Sequence, residues 1–120
     1  MPFTKLLEDL VSSVKGATGA LILEADGEAV QWYSRADGER LKLRGAYLVN
    51  LLPSCRAATS RLHLGAPGHL IVNYDGASFV IQELSLDYYL LIEMDPLAGV
   101  ASAVHRLKQA LPEARRALET

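Results

Sequence analysis

GALILEADGEAVQWYS, residues 19–34, decides the fold. Its first part, Ala20-Leu21-Ile22-Leu23, is a continuous apolar run of strand length, which implies that both faces of the strand are covered. Asp26-Gly27 follows, the dipeptide that most readily adopts the backbone of a tight hairpin turn. Glu28 to Ser34 then returns as an antiparallel strand, with Val30, Trp32 and Ser34 expected on one side and Gln31 and Tyr33 on the other. A hairpin buried on two faces needs helices above and below it, so the flanking sequence must supply them.

The flanks do so. Upstream, Thr4 is placed to cap a helix running to about Lys15, with Leu6, Leu7, Leu10, Val11 and Val14 on one face and Gly16 as its stop. Downstream, Asp37 or Gly38 opens a long helix over Glu39 to Leu62. Pro53 either kinks it or starts a new helix, and the apolar phase that continues across the proline favours a kink. Gly65-Ala66-Pro67-Gly68 is a loop. Three strands follow, His69 to Tyr74, Ala77 to Leu84 and Tyr88 to Met94, with turns at Asp75-Gly76 and Ser85-Leu86-Asp87. A last helix covers Leu97 to Leu111, with Leu97 in register with its apolar stripe, until Pro112 breaks it. The expected architecture is an α+β sandwich of order α-β-β-α-β-β-β-α on a five-stranded, mostly antiparallel sheet. It forms one domain over residues 1–112, with a charged tail at 113–120.

Bulk properties exclude several function classes. The 120 residues are 50% hydrophobic and 22% charged, with a net charge of −2 and both signs scattered. That balance offers no footprint for nucleic acid and no polybasic membrane patch. No apolar run approaches the ~20 residues that cross a bilayer. Met1 to Lys5 lacks the pattern of a secretory signal. One cysteine, Cys55, rules out an internal disulfide and suits a reducing compartment, so the protein is expected in the cytoplasm.

The residues carry no evident active site. No glycine cluster makes a phosphate-cradling loop, so the chain is not a nucleotide hydrolase. Cys55 and His63 stand eight residues apart, more than two helical turns, too far for a nucleophile and its base. His63, His69 and His105 lack ligand spacing, and turn chemistry or solvent accounts for Glu24, Asp26 and Glu28. No catalytic residue, cofactor site or metal site is expected.

The long helix is the informative element. Leu41, Gly45, Leu48, Leu52, Cys55, Thr59 and Leu62 recur at spacings of four and three, and Leu43, Tyr47, Leu51, Ser54 and Ala58 form a second stripe beside them. One sheet needs only one such stripe. The first seam is therefore assigned to pairing with a second copy, small residues such as Gly45 letting two helices approach. Arg35, Arg40, Lys42, Arg44, Arg56 and Arg61 make this element locally basic. Arg40, Arg44, Tyr47 and Leu51 are assigned to docking a partner, and Arg40 or Arg44 is within the class of residue that reaches a bound phosphate.

Gly19-Ala20-Leu21-Ile22-Leu23 with Asp26-Gly27-Glu28 and Val30, His69-Leu70-Ile71-Val72 before Asp75-Gly76, Tyr89-Leu90-Leu91-Ile92 before Asp95-Pro96, and Gly99 early in the last helix together resemble the Roadblock (dynein light chain) domain family in its bacterial and archaeal single-domain form. The resemblance implies a profilin/roadblock-like fold. It also implies a dimer joined through the second helix and a neighbouring sheet edge, and a role in regulating a Ras-like small GTPase without a catalytic arginine of its own. Two other functions fit a module of this kind, a nucleotide-independent scaffold subunit and a small-molecule sensor.

Overall fold

The hairpin forms around Gly27, whose φ of +96° an L side chain rarely adopts, while the Asp26 carboxylate accepts the Glu28 N–H at 2.9 Å. A computed structural model describes residues 3–65 and 68–119 of the chain. The elements are α1 (Thr4–Ser13), β1 (Ala17–Glu24), β2 (Ala29–Ser34), α2 (Gly38–Leu48), α3 (Leu51–Arg61), β3 (His69–Asn73), β4 (Ser78–Glu83), β5 (Tyr88–Met94) and α4 (Val100–Leu118). The strands make one five-stranded sheet in the order β2-β1-β5-β4-β3, every neighbouring pair antiparallel. Of the loop expected at Gly65–Gly68, Ala66 and Pro67 lie outside the described residues, as do Met1 and Pro2 of the first residues and Thr120 of the tail.

β1 reads as uninterrupted apolar sequence because it is sandwiched. Ala20 and Ile22 join the core beneath α1 and α4, with Leu7, Leu10, Val11, Ala103 and Leu107. Leu21 and Leu23 point the other way, into a core with Leu41, Leu48, Val49 and Leu52 from α2 and α3. Each fully buried aliphatic side chain contributes roughly 1.5–3 kcal/mol, so these two clusters fix both layers.

Several details depart from the sequence expectation, each for a local reason. Thr4 lies inside α1 rather than capping it; Phe3 holds the cap position without a side-chain bond and is instead buried in the α1/α4 core. In the hairpin, Ile22 pairs with Gln31 and Leu23 with Ala29, so Val30 is an extra, bulged residue. Val30 and Tyr33 consequently pack towards α1 and α4, whereas Trp32 meets Lys42 of α2, whose ammonium lies 4.0 Å from the ring centre.

The long helix is split, not kinked: α2 ends at Leu48 and α3 begins at Leu51. Pro53 dictates the position of the break. In a continuous helix it would have no N–H for the Val49 carbonyl, and its ring would strike that same carbonyl. Breaking at Val49–Asn50 puts Pro53 in the first turn of α3, where no N–H is needed. Pro112 behaves in the opposite way. α4 runs through it to Leu118, so the tail expected from residue 113 is helical as far as Leu118. Ala114 is buried, and the Arg115 guanidinium donates to the Leu84 carbonyl at 3.0 Å, so tertiary contacts on the far side hold the helix together.

Gly45 illustrates the close fit of α2 on the sheet. A methyl group there would stand 2.4 Å from Leu21 Cδ2 and 3.0 Å from Leu23 Cδ2. At an exposed helical site Gly→Ala gains about 1 kcal/mol of propensity. Here the methyl would crowd two fully buried leucines, and overpacking costs about 1–3 kcal/mol and wins. Gly45→Ala is expected to lower the urea unfolding midpoint, and a raised midpoint would mean that the sheet yields freely beneath α2.

Candidate docking face

α2 crosses the sheet with one stripe down and one stripe up, in the reverse of the sequence assignment. Leu41, Gly45, Leu48 and Leu52 face the protein's own β1, β4 and β5 and are buried, which leaves them no surface for a second copy. Gly45 admits a sheet, not a second helix. Cys55 and Thr59 are half-buried on α3, and Leu62, at its C-terminal cap, is exposed. The outward stripe is the second one, with Leu43 60% and Tyr47 75% exposed and Leu51 half-buried.

Beside this stripe the β3 end of the sheet is only partly covered. Leu43, Tyr47 and Leu48 form one wall, and Tyr74, Ala77 and Phe79 the other, of an open apolar trough of ≈ 380 Å³. Tyr74 and Phe79 meet edge-to-face with ring centres 6.2 Å apart. β3, which leads into Tyr74, lies at the end of the strand order, so among the described residues one side of its backbone has no neighbouring strand. Ile71 on β3 is also exposed.

The basic residues on this element are mostly committed to the protein itself. Arg35 donates to the Val11 carbonyl at 3.3 Å, Lys42 pairs with Glu39 at 2.8 Å beneath the Trp32 contact, and Arg56 pairs with Glu83. Arg44 Nη1 donates to Glu93 Oε2 at 2.8 Å, and Thr18 Oγ1 donates to Glu93 Oε1 at 2.8 Å. Glu93 is 5% exposed and Arg44 38%, so this pair spans the boundary between core and trough. Arg44 is thus engaged within the chain, where the sequence assignment as a phosphate-reaching residue expects a free guanidinium. Arg40 and Arg61 are exposed and carry no ion pair among the described residues.

Glu93 is a site residue that the sequence reading misses although its signal is present. In Tyr88–Met94 it follows Tyr89 and Leu91 at a spacing of two, which assigns it to the same covered face. The carboxylates of Glu24, Asp26 and Glu28 do converge, with one oxygen from each within 4.8 Å of the others. They decorate the hairpin turn and are open to solvent or nearly so. No other group of three or more His, Cys, Asp or Glu side chains converges in this way among the described residues, and none of their helices is long and apolar enough to cross a membrane.

Solved structures with this arrangement of helices and strands include Roadblock/LC7 domains and profilins. A Roadblock/LC7 domain from Streptomyces avermitilis superimposes with a TM-score of 0.85 at 20% identity, over 97% of each chain. The chain has the Roadblock/LC7 fold. The gliding protein MglB from Thermus thermophilus matches this chain with a TM-score of 0.82 at 14% identity, over 96% of this chain and 87% of its own. MglC from Myxococcus xanthus is 27% identical, with a TM-score of 0.70 over 97% of this chain and 98% of its own. No family model matches the sequence, and no curated protein matches it. The likeness is thus carried by backbone geometry rather than by shared residues.

Proposed function

We propose that this chain is a non-catalytic regulator of a Ras-like small GTPase that works as a homodimer and docks on the switch region to modulate GTP hydrolysis or localisation. One observation carries the reading: an outward apolar stripe, Leu43 and Tyr47, stands beside an apolar trough and an unpaired sheet edge. A knob and a hole on the same face suit two-fold pairing, in which each copy fills the other's trough. Leu62 extends the apolar surface along α3, and Arg40 supplies the free cation at the α2 end. The likeness to MglB and to other Roadblock/LC7 domains supports a regulator over an enzyme, and regulation then consists in repositioning the GTPase's own catalytic groups.

The test is single-turnover GTP hydrolysis by Ras-like GTPases encoded near this chain, with and without it, together with affinity for the GDP- and GTP-loaded forms. A changed rate and a preference for one nucleotide state are expected. Equal affinity for both states at an unchanged rate would point to a scaffold, and no binding at all would remove the GTPase from the account.

A further inference from the structure

A second apolar feature lies on the α1/α4 side of the sheet, away from the trough. Apolar spacing assigns Leu97 to the buried stripe of the last helix. Instead α4 starts three residues later, and Leu97 is 98% exposed on the turn before it. The turn is fixed in place: the Ala98 N–H donates to the Asp95 carbonyl at 3.0 Å and the Asp95 N–H to the Gly16 carbonyl at 2.8 Å. Gly16, at φ +86°, sits so close that a Cβ there would stand 2.4 Å from Ala98 Cβ. An ordered turn that holds a leucine wholly in water gains nothing for its own fold, because no apolar area is removed. Leu97 itself lines a cleft of ≈ 630 Å³ whose wall also includes Gly16, Ala98 and Gly99.

Two charges flank that cleft, Lys15 and Asp95. Both are exposed, and neither has an ion-pair partner among the described residues. Their signs cancel, so the patch is selective for neither an acidic nor a basic partner. Paired charges of opposite sign suit a second copy of the same patch, since a two-fold arrangement can set each lysine against the other copy's aspartate.

We propose that the Asp95–Gly99 turn and the adjoining Lys15–Gly16 corner form a self-association surface separate from the α2 face, in which Leu97 of each copy enters the cleft of the other and Lys15 meets the other's Asp95. Combined with pairing through α2, this contact joins dimers into larger assemblies. One leucine per copy makes the contact weak, with half-association expected at roughly 100 µM or above.

Sedimentation equilibrium of the full chain from about 10 µM to about 1 mM tests the contact. A rise in mass with concentration is expected in this range, limited to one doubling where α2 pairing is removed by Tyr47→Asp. Leu97→Glu is expected to abolish this step without altering the unfolding midpoint, since the side chain is almost wholly in water. Lys15→Glu and Asp95→Lys should each weaken the step roughly tenfold, and the double exchange should restore it to within about threefold. Repeating the series with Tyr47→Asp separates this contact from the α2 face: the step that Leu97→Glu removes is this one, whatever Tyr47→Asp does. Absence of such a step, its survival in Leu97→Glu, or a double exchange as weak as the single ones would overturn the proposal.

Discussion

Truncating Arg44 to alanine lowers the unfolding free energy by about 2–3 kcal/mol, read as a shift in urea midpoint at unchanged slope. The variant leaves Glu93, 5% exposed, with the Thr18 hydroxyl as its remaining side-chain donor among the described residues. Removing one member of a deeply buried pair costs about 3–5 kcal/mol. Water reaches the Arg44 side of this one, so the cost falls at or just below the lower end of that range. Glu93→Gln is milder, because the amide oxygen still accepts from Thr18 and the released guanidinium can turn to solvent. Arg44→Met combined with Glu93→Leu regains most of the loss, since an apolar pair of similar volume incurs no desolvation of charge. Equal losses in Arg44→Ala and Glu93→Gln, with no recovery in the apolar double variant, would mean that something other than this ion pair ties α2 to β5.

Tyr47→Asp weakens self-association through the α2 face at least a hundredfold while leaving stability within about 0.5 kcal/mol of the parent. The residue is 75% exposed in the protomer, so the fold does not depend on it. In the paired state the same position would have to bury a carboxylate against Tyr74 and Phe79, which costs far more than a lost contact. Leu41→Asp is the control from the opposite stripe; it faces the sheet and should unfold the chain outright. Sedimentation velocity with parallel urea titrations distinguishes the two. A Tyr47→Asp chain that still pairs at the parent's concentration would place the interface elsewhere.

The strands are legible in the sequence because their signals are local. Asp26-Gly27 and Asp75-Gly76 fix two turns, and alternation or continuous apolar runs fix the strands between them. The two prolines mislead for one shared reason: a proline's effect depends on what the carbonyl four residues earlier can do. At Pro53 that carbonyl forces a break, whereas at Pro112 the burial of Ala114 and the bond from Arg115 to the Leu84 carbonyl override it.

On α2, periodicity reveals two stripes but not which one meets the sheet. Gly45 holds that answer, because a glycine in mid-helix marks close approach without naming the neighbour. Its neighbour is Leu21, a contact that only the assembled sheet creates. Leu97 escapes for a different reason: apolar spacing extrapolates past the point where Asp95-Pro96 and the corner at Gly16 redirect the chain.

The extra residue at Val30 has an effect on assembly. It interrupts the ladder of β2 and adds local twist at that margin of the sheet, where Lys42 and Trp32 also stand guard. β3, at the opposite margin, pairs residue for residue with β4 without any shift. A ribbon with one blunted end and one live end can be lengthened once and is then finished. Two copies meeting edge to edge through β3 would leave only blunted margins facing outward, which disfavours further growth by that route.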